Sequence, residues 1–167
     1  TERETERMTK TETYKGKIAD IDSINVDDNP LQSTTYYYLD SDDPATPEDD
    51  RVIEKGDEIA DYMYDHKSGR KTYYFYGVIE KDKGVGAQSA DLDDLMVRSA
   101  ISRSDEFSET NLRSETFYEI TKADGTLLDK GEERAWYAYN YKNNGSEVRN
   151  TTLYHYESAT ERETERM

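Results

Sequence analysis

The chain has 167 residues, which is long enough for one domain with a hydrophobic core or for two very small domains. Its 38 acidic residues outnumber 22 basic ones and give a net charge of -16, which argues against binding to nucleic acid or to an anionic membrane surface. Cysteine is absent, which excludes disulfide bonds, thiolate nucleophiles and metal sites with cysteine ligands.

The aliphatic content is low for a folded protein. Ile, Leu, Val and Phe make up about 15% of the chain, and this fraction together with the net charge is typical of disorder. Fifteen tyrosines and one tryptophan compensate, because they are large apolar bodies that cluster in short alternating runs. We therefore expect a mainly β fold with a thin core of aliphatic and tyrosine side chains. No apolar run approaches the roughly 18 residues of a transmembrane helix, so no membrane insertion is expected.

The same eight residues stand at both ends of the chain. TERETERM occupies residues 1–8 and again residues 160–167, so the two copies begin 159 residues apart. We interpret this identity as the sign of a natural tandem array with that period; an engineered flanking tag is the alternative. The expected organisation is a charged linker over residues 1–10, one β-rich domain over 11–158 and a second charged linker over 159–167.

Alternation of apolar and polar residues predicts a series of short strands between these ends. Turn sequences such as Asp65–Arg70 and Asn143–Gly145 separate neighbouring strands, which is typical of consecutive hairpins. The predicted fold class is mainly β: an antiparallel meander, barrel or sandwich of about eight strands. The predicted strands are Tyr14–Ile24, Thr34–Leu39, Arg51–Glu54, Glu58–Asp65, Lys71–Lys81, Ser114–Lys122, Glu133–Lys142 and Glu147–Glu157.

One segment breaks the two-residue period. Between Ser89 and Arg103 the apolar and small residues recur at intervals of three and four, the spacing of one helix face. The pattern predicts one helix over about residues 90–103, packed on the sheet or closing one end of a barrel. A strand at Val97–Ser102 is the alternative. The residues that define the helical spacing are Leu92, Leu95, Met96, Ser99 and Ala100.

Two predicted loops are rich in carboxylate and amide oxygens, the ligands that Ca²⁺ prefers. Neither loop has the EF-hand spacing, since the first lacks the glycine at its sixth position and the second contains prolines. Solvated loop residues without a metal are the alternative. The candidate Ca²⁺ ligands are Asp20, Asp22, Asn25, Asp27 and Asp28 in the first loop and Asp40, Asp42 and Asp43 in the second.

The sequence contains no recognisable catalytic motif. His66 and His155 are the only histidines, and neither has a second histidine at metal-ligand spacing. A nucleophile elbow, a phosphate-binding loop and a dinucleotide fingerprint are all absent. We therefore expect that this protein is not an enzyme.

Tyrosines at alternate positions are predicted to share strand faces. Aromatic pairing between strands is the simple structural interpretation. The functional interpretation is a tyrosine-lined surface that binds a sugar or another small ligand. The candidate ligand-binding residues are Tyr62, Tyr64, Tyr137, Tyr139 and Tyr141.

The leading functional hypothesis is an extracellular structural module, one unit of a tandem-repeat surface protein, adhesin or filament, with Ca²⁺ as a candidate stabilising ion. Its partners would be copies of itself, and its location extracellular or on the cell surface. Two glycosylation sequons, at Asn144 and Asn150, fit a secreted setting. The alternatives are a β-barrel that binds a small ligand or carbohydrate, and an acidic inhibitor that mimics DNA.

Overall fold

The computed structural model describes residues 7–38, 56–80 and 82–156. This part of the chain folds almost entirely as β-strands, with one short 3₁₀ helix at Ala87–Ser89. The strands are β1 (Lys10–Tyr14), β2 (Leu31–Tyr38), β3 (Ile59–Asp65), β4 (Arg70–Gly77), β5 (Val85–Gly86), β6 (Leu95–Ser102), β7 (Leu112–Glu119), β8 (Arg134–Tyr141) and β9 (Val148–Leu153).

The strands form one antiparallel meander in the order β1-β2-β3-β4-β6-β7-β8-β9, and the two-residue strand β5 pairs beside β4. The first and last strands of this order do not pair with each other, so the sheet is open and is not a barrel. The mainly β, antiparallel meander prediction is thus confirmed, and its barrel variant is wrong. Because eight strands alternate in direction along the path, β1 and β9 run antiparallel to each other, and neither has a second strand partner among the described residues.

Hairpin turns form where the sequence supplies side-chain oxygens and glycine. Between β3 and β4, the Asp65 carboxylate accepts the backbone N–H groups of Lys67 at 2.8 Å and Ser68 at 2.9 Å. Gly69 completes the turn with a φ of 69°, a backbone angle that residues with a Cβ rarely adopt. The Asn143–Gly145 turn between β8 and β9 was predicted from the same chemistry, and Gly145 there has a φ of 75°.

Residues directly opposite each other on paired strands share a face of the sheet. One face carries a row of aromatic residues, and we call it the aromatic face. Its cross-strand partners include Tyr36 with Tyr62, Tyr62 with Tyr73, and Phe117 with Tyr137. Tyr74 and Tyr76 of β4 point to the opposite face.

The core consists of two small clusters, one on each face. On the opposite face, Ile59 and Tyr76 pack under Ala87 and Ala90 of the segment that follows β5. On the aromatic face, Leu95 and Val97 of β6 pack against Ile120. A sheet normally buries a face against a second layer of secondary structure, whereas here short connecting segments provide the only cover in the described part of the chain.

The helix predicted over residues 90–103 is wrong, because this segment contains β6. Strand β6 lies between β4 and β7 near the centre of the sheet, and six of its eight residues are buried. A strand covered on both faces has apolar residues on both, so it lacks the two-residue alternation that identifies an edge strand. An irregularity in the pairing of β6 with β4, next to Arg98, disturbs the pattern further.

The strand predicted at Tyr14–Ile24 is also wrong in most of its length. Strand β1 occupies Lys10–Tyr14, and the chain then turns at Gly16 into a loop that runs to Pro30. Ile21 is 81% exposed, so its apolar side chain does not mark a buried strand face. The strand predicted at Arg51–Glu54 lies outside the described residues, and the remaining predicted strands correspond to β2, β3, β4, β7, β8 and β9.

Candidate functional site

Four arginines converge at one end of the sheet. Arg70 is the first residue of β4, Arg103 follows the last residue of β6, Arg113 is the second residue of β7, and Arg149 is the second residue of β9. In an antiparallel meander the start of one strand meets the end of its neighbour, so the topology brings these positions together. We call the surface that they line the arginine cleft.

The arginine cleft consists of two adjoining hollows of about 370 and 340 Å³. Arg70, Arg103 and Arg113 line both hollows, and Arg149 lines the larger one. The amides of Asn140, Asn143 and Asn150 and the side chain of Tyr141 complete the larger hollow, while Tyr64, Lys71 and Asp105 contribute to the smaller one.

The guanidinium groups of the arginine cleft are poorly compensated. None of the four arginines forms an ion pair with a carboxylate among the residues that the structure describes. Arg103 donates through Nη2 to the carbonyl oxygens of Tyr141 and Lys142, at 3.1 Å each. The Nε atoms of Arg103 and Arg113 are buried and have no hydrogen-bond partner.

Burial and the neighbouring charges both change the pKa of Arg113. Burial lowers the pKa of its guanidinium, and repulsion from Arg70 and Arg103 lowers it further. The cleft is therefore a concentration of positive charge on a chain whose net charge is -16. Such a site favours a bound anion.

A fifth arginine, Arg98, serves a structural role on the aromatic face. Its side chain is 1% exposed and forms ion pairs with Glu109 at 2.6 Å and with Glu115 at 2.9 Å. The guanidinium also lies 4.1 Å from the centre of the Phe75 ring, and its Nε donates to the carbonyl of Lys83. All its charge is thus satisfied inside the protein, unlike that of the arginine cleft.

Aromatic rings form two groups along the aromatic face. In the first, Tyr62 lies 4.9 Å from Tyr36 and 5.9 Å from Tyr73, and Phe107 contacts the ring of Tyr73 at 5.3 Å. In the second, Tyr137 lies 4.9 Å from Phe117 and 5.3 Å from Tyr139. The contacts of Tyr62 with Tyr36 and Tyr73, and of Phe117 with Tyr137, are the cross-strand pairing expected of neighbouring strands.

The structure does not bring the five predicted ligand-binding tyrosines into one site. Tyr62 belongs to the first group of rings, and Tyr137 and Tyr139 belong to the second. Tyr64 and Tyr141 instead line the two hollows of the arginine cleft. The hydroxyl of Tyr141 donates a hydrogen bond to Glu115. Burial raises the pKa of this hydroxyl, and the hydrogen bond to Glu115 raises it further.

The first predicted calcium loop satisfies its polar groups locally. Asp20 accepts the N–H of Asp22 at 3.0 Å, Asn25 accepts the N–H of Asp27 at 3.1 Å, and the Asn25 amide donates to Asp28 at 2.7 Å. Within the described ranges, no three acidic or histidine side chains converge on a position that could hold a metal ion.

The other predicted ligands, Asp40, Asp42 and Asp43, lie outside the described residues. Calcium binding therefore stays a prediction, and a rise in melting temperature on addition of Ca²⁺ would support it.

Sequence analysis missed the arginines of the cleft. The sequence does contain a signal for them, because each of these arginines stands at or beside the end of a strand, next to a turn between consecutive strands. The erroneous helix over 90–103 hid it, because a helix there separates Arg103 and Arg113 from the hairpin end that holds Arg70. His66 is exposed in the turn and bonds Thr34 Oγ1 at 2.9 Å, and His155 is also exposed.

No family model, no curated protein and no solved structure matches this chain. Within the described residues, the protein has no helix of the length and apolar character that crossing a membrane requires.

Proposed function

We propose that this chain is a structural module whose copies join edge to edge into a longer β-sheet. The observation that carries the proposal is the open meander with two free edge strands that run antiparallel to each other. Strand β1 of one copy placed beside β9 of another continues the alternation of strand directions without a break. Both edges are largely exposed, with all six residues of β9 and four of the five residues of β1 open to solvent.

The hydrogen-bonding groups that would form this junction can be assigned from the register. In an antiparallel pair, hydrogen-bonded and non-hydrogen-bonded residues alternate. The N–H of Tyr154 donates to the carbonyl of Trp136, so these two residues form a hydrogen-bonded pair. Leu153 opposite Tyr137 and Thr151 opposite Tyr139 are therefore non-hydrogen-bonded pairs. The backbone N–H and C=O groups of Leu153 and Thr151 point away from β8, toward the free side of β9. The same argument from the Tyr37 to Thr9 bond turns the backbone of Lys10 and Glu12 outward on β1.

Neither edge carries the block of like charges that often prevents strand addition. The charges of β1 are Lys10 and Glu12, which pair with each other at 2.7 Å, and the single charge of β9 is Arg149. The duplicated octapeptide supports the same arrangement, because a period of 159 residues would place the next β1 after β9 along one chain. An extracellular location remains a prediction from the sequence.

A ligand-binding barrel would need a closed sheet around a cavity, and this sheet is open. The acidic DNA mimic stays a prediction without a specific observation in its favour. The edge-to-edge module is therefore the function that the geometry supports best.

The test compares the chain with a two-copy chain in which a second copy follows at the 159-residue period through one shared octapeptide. We expect the two-copy chain to melt roughly 5–10 °C higher, because edge pairing adds several backbone hydrogen bonds. Thr151→Pro in the first copy should abolish that gain, since it removes an outward N–H and leaves the β8 ladder intact. Thermal unfolding followed by circular dichroism measures all three melting temperatures.

Thr152→Pro is the matched control, because the N–H of Thr152 belongs to the ladder with β8. It should lower the melting temperature of the single copy, whereas Thr151→Pro should leave the single copy nearly unchanged. Equal melting temperatures for the single copy and the two-copy chain would contradict the proposed function.

A further inference from the structure

We propose that the arginine cleft is a binding site for a doubly charged tetrahedral oxyanion, a phosphate or sulfate group. The chain has only 22 basic residues against 38 acidic ones, yet four arginines line this one surface. None of the four is paired with a carboxylate within the described ranges. Like charges that meet without ion-pair partners repel one another, and a bound dianion offsets that repulsion.

Two of these guanidinium groups also leave a donor without a partner. The Nε atoms of Arg103 and Arg113 are buried without a hydrogen-bond partner, and a buried donor left unpaired is unfavourable. Arg98 shows the opposite arrangement, since two carboxylates and a carbonyl satisfy its guanidinium. The fold therefore neutralises one arginine internally and leaves the cleft to an external anion.

Phosphate and sulfate fit this donor set better than a carboxylate does. Guanidinium groups that converge from several strands can donate hydrogen bonds to several oxygens at once. A tetrahedral phosphate or sulfate has four oxygens, whereas a planar carboxylate has only two. A dianion also compensates more of the accumulated charge than a monoanion. Asp105 lines the smaller hollow, and Asp65 interacts electrostatically with Arg70. No carboxylate is among the described residues that line the larger hollow.

The free ion and an ester group on a larger molecule share this chemistry. The amides of Asn140, Asn143 and Asn150 line the larger hollow beside the arginines. They offer both donors and acceptors to the hydroxyl groups of a sugar that bears the anion. Binding of the tetrahedral group itself requires only the arginines.

The experiment is a calorimetric titration of the full chain with inorganic phosphate and with sulfate, at an ionic strength held constant with sodium chloride. We expect saturable binding at one site. Arg70→Gln and Arg113→Gln should each weaken it about tenfold, because each removes a charge-assisted hydrogen bond. Arg134→Gln is the matched control, since Arg134 is an exposed arginine at the other end of the sheet, paired with Glu119.

Melting temperatures separate loss of the ligand site from loss of the fold. Without phosphate, Arg113→Gln should melt at or above the temperature of the parent chain, because it relieves the crowding of charges. With phosphate, its melting temperature should rise less than that of the parent. A variant that melts lower without phosphate and responds to it normally would overturn the assignment of Arg113 to the site.

A monosaccharide phosphate and its unphosphorylated parent identify the source of the anion, because a phosphate monoester is close to doubly charged above its second pKa of about 6. Tighter binding of the sugar phosphate than of inorganic phosphate assigns the site to an ester group on a larger molecule, and equal binding assigns it to the free ion. The proposal is overturned if phosphate and sulfate bind no better than chloride, or if Arg134→Gln weakens binding as much as Arg70→Gln. The edge-to-edge function is tested separately, so either proposal can fail alone.

Discussion

Arg98 illustrates how this thin fold accommodates a charged residue in its interior. The β6–β7 connection folds back over the aromatic face and brings Glu109 to the guanidinium, while Glu115 reaches it from β7. Glu115 is itself 3% exposed and accepts a further hydrogen bond from Tyr141. Hydrogen bonds from Arg98 and Lys83 outweigh the effect of burial on Glu109, and its pKa lies below the usual value.

Arg98→Met should destabilise the protein by about 3 kcal/mol, because it leaves the buried Glu115 without its counter-charge. The double variant Arg98→Met with Glu115→Gln should recover most of this loss, since no uncompensated charge remains. Urea unfolding of the parent, the single variants and the double variant measures the differences. A loss of less than about 1 kcal/mol for Arg98→Met would contradict a buried ionic network.

Asp61 provides a pH-dependent test at the same scale. Burial raises the pKa of its carboxyl, and no hydrogen bond or ion pair offsets this within the described part of the chain. A raised carboxyl pKa means that ionisation destabilises the folded state above that pKa, and the penalty disappears as the pH falls below the unfolded value near 3.8.

Asp61→Asn should therefore be more stable than the parent at neutral pH. The difference should shrink progressively as the pH falls toward 3.8. Urea midpoints measured across this range give the comparison, and a difference that stays constant with pH would show that the carboxyl is not penalised.

At the scale of the element, the segment around β5 is fixed by close backbone approach. Gly84 has a φ of 67°, and a Cβ at this position would lie 2.6 Å from Val97 Cγ2 and 2.8 Å from the carbonyl oxygen of Tyr76. Glycine is therefore required for the chain to reach β4 and to place Ala87 and Ala90 on the opposite face.

Gly84→Ala should lower the free energy of unfolding by about 2 kcal/mol or more, through both the clash and the unfavourable φ. Gly86→Ala is the matched control, because a Cβ at Gly86 meets no atom within 4 Å. Its effect should stay within about 0.5 kcal/mol in the same urea experiment. Equal effects of the two substitutions would show that the approach of this segment to β6 is loose.

The elements that could be predicted are those with a clear local signal. Strands β3 and β4 have alternating tyrosines on either side of an Asp65–Gly69 turn, and their hairpin is confirmed. Strand β6 corresponds to the alternative prediction of a strand at Val97–Ser102, and the sequence favours the helix because burial on both faces removes the alternation and leaves a period of three to four by coincidence. The loop after β1 was predicted as a strand because Ile18, Ile21 and Ile24 resemble a strand face in the sequence, although Ile21 is 81% exposed.

The candidate site was less predictable than the fold. Tyr64 and Tyr141 are among the predicted ligand-binding residues, a role that stays a prediction, and nothing local in the sequence indicates that they flank the same group of arginines. That group depends on the pairing of five strand ends, and one wrong element is enough to conceal it. Contacts between distant residues thus limit what a single sequence predicts here.

At the scale of the whole molecule, half-buried tyrosines take the place of an aliphatic core and make the fold sensitive to alkali. Burial raises the pKa of tyrosines from both faces above the ordinary value of 10.0. A raised tyrosine pKa gives stability that is fully present below pH 10 and is lost as the pH rises further, because the unfolded chain releases its protons first. The group comprises Tyr62, Tyr73, Tyr74, Tyr76, Tyr118, Tyr137 and Tyr141.

We therefore expect cooperative alkaline unfolding above about pH 10. Tyrosinate absorbance and circular dichroism, recorded together against pH, should show a shared transition for the buried tyrosines. Non-cooperative ionisation of all tyrosines near pH 10, with the fold intact, would contradict their structural role.

The exchange of backbone amide hydrogens in the two-copy chain tests the central claim of edge pairing most directly. The account predicts that the amides of Thr151 and Leu153 exchange slowly in the first copy, where β9 meets the next β1, and rapidly in the second copy, where β9 remains a free edge. Rapid exchange of these amides in both copies would contradict the account.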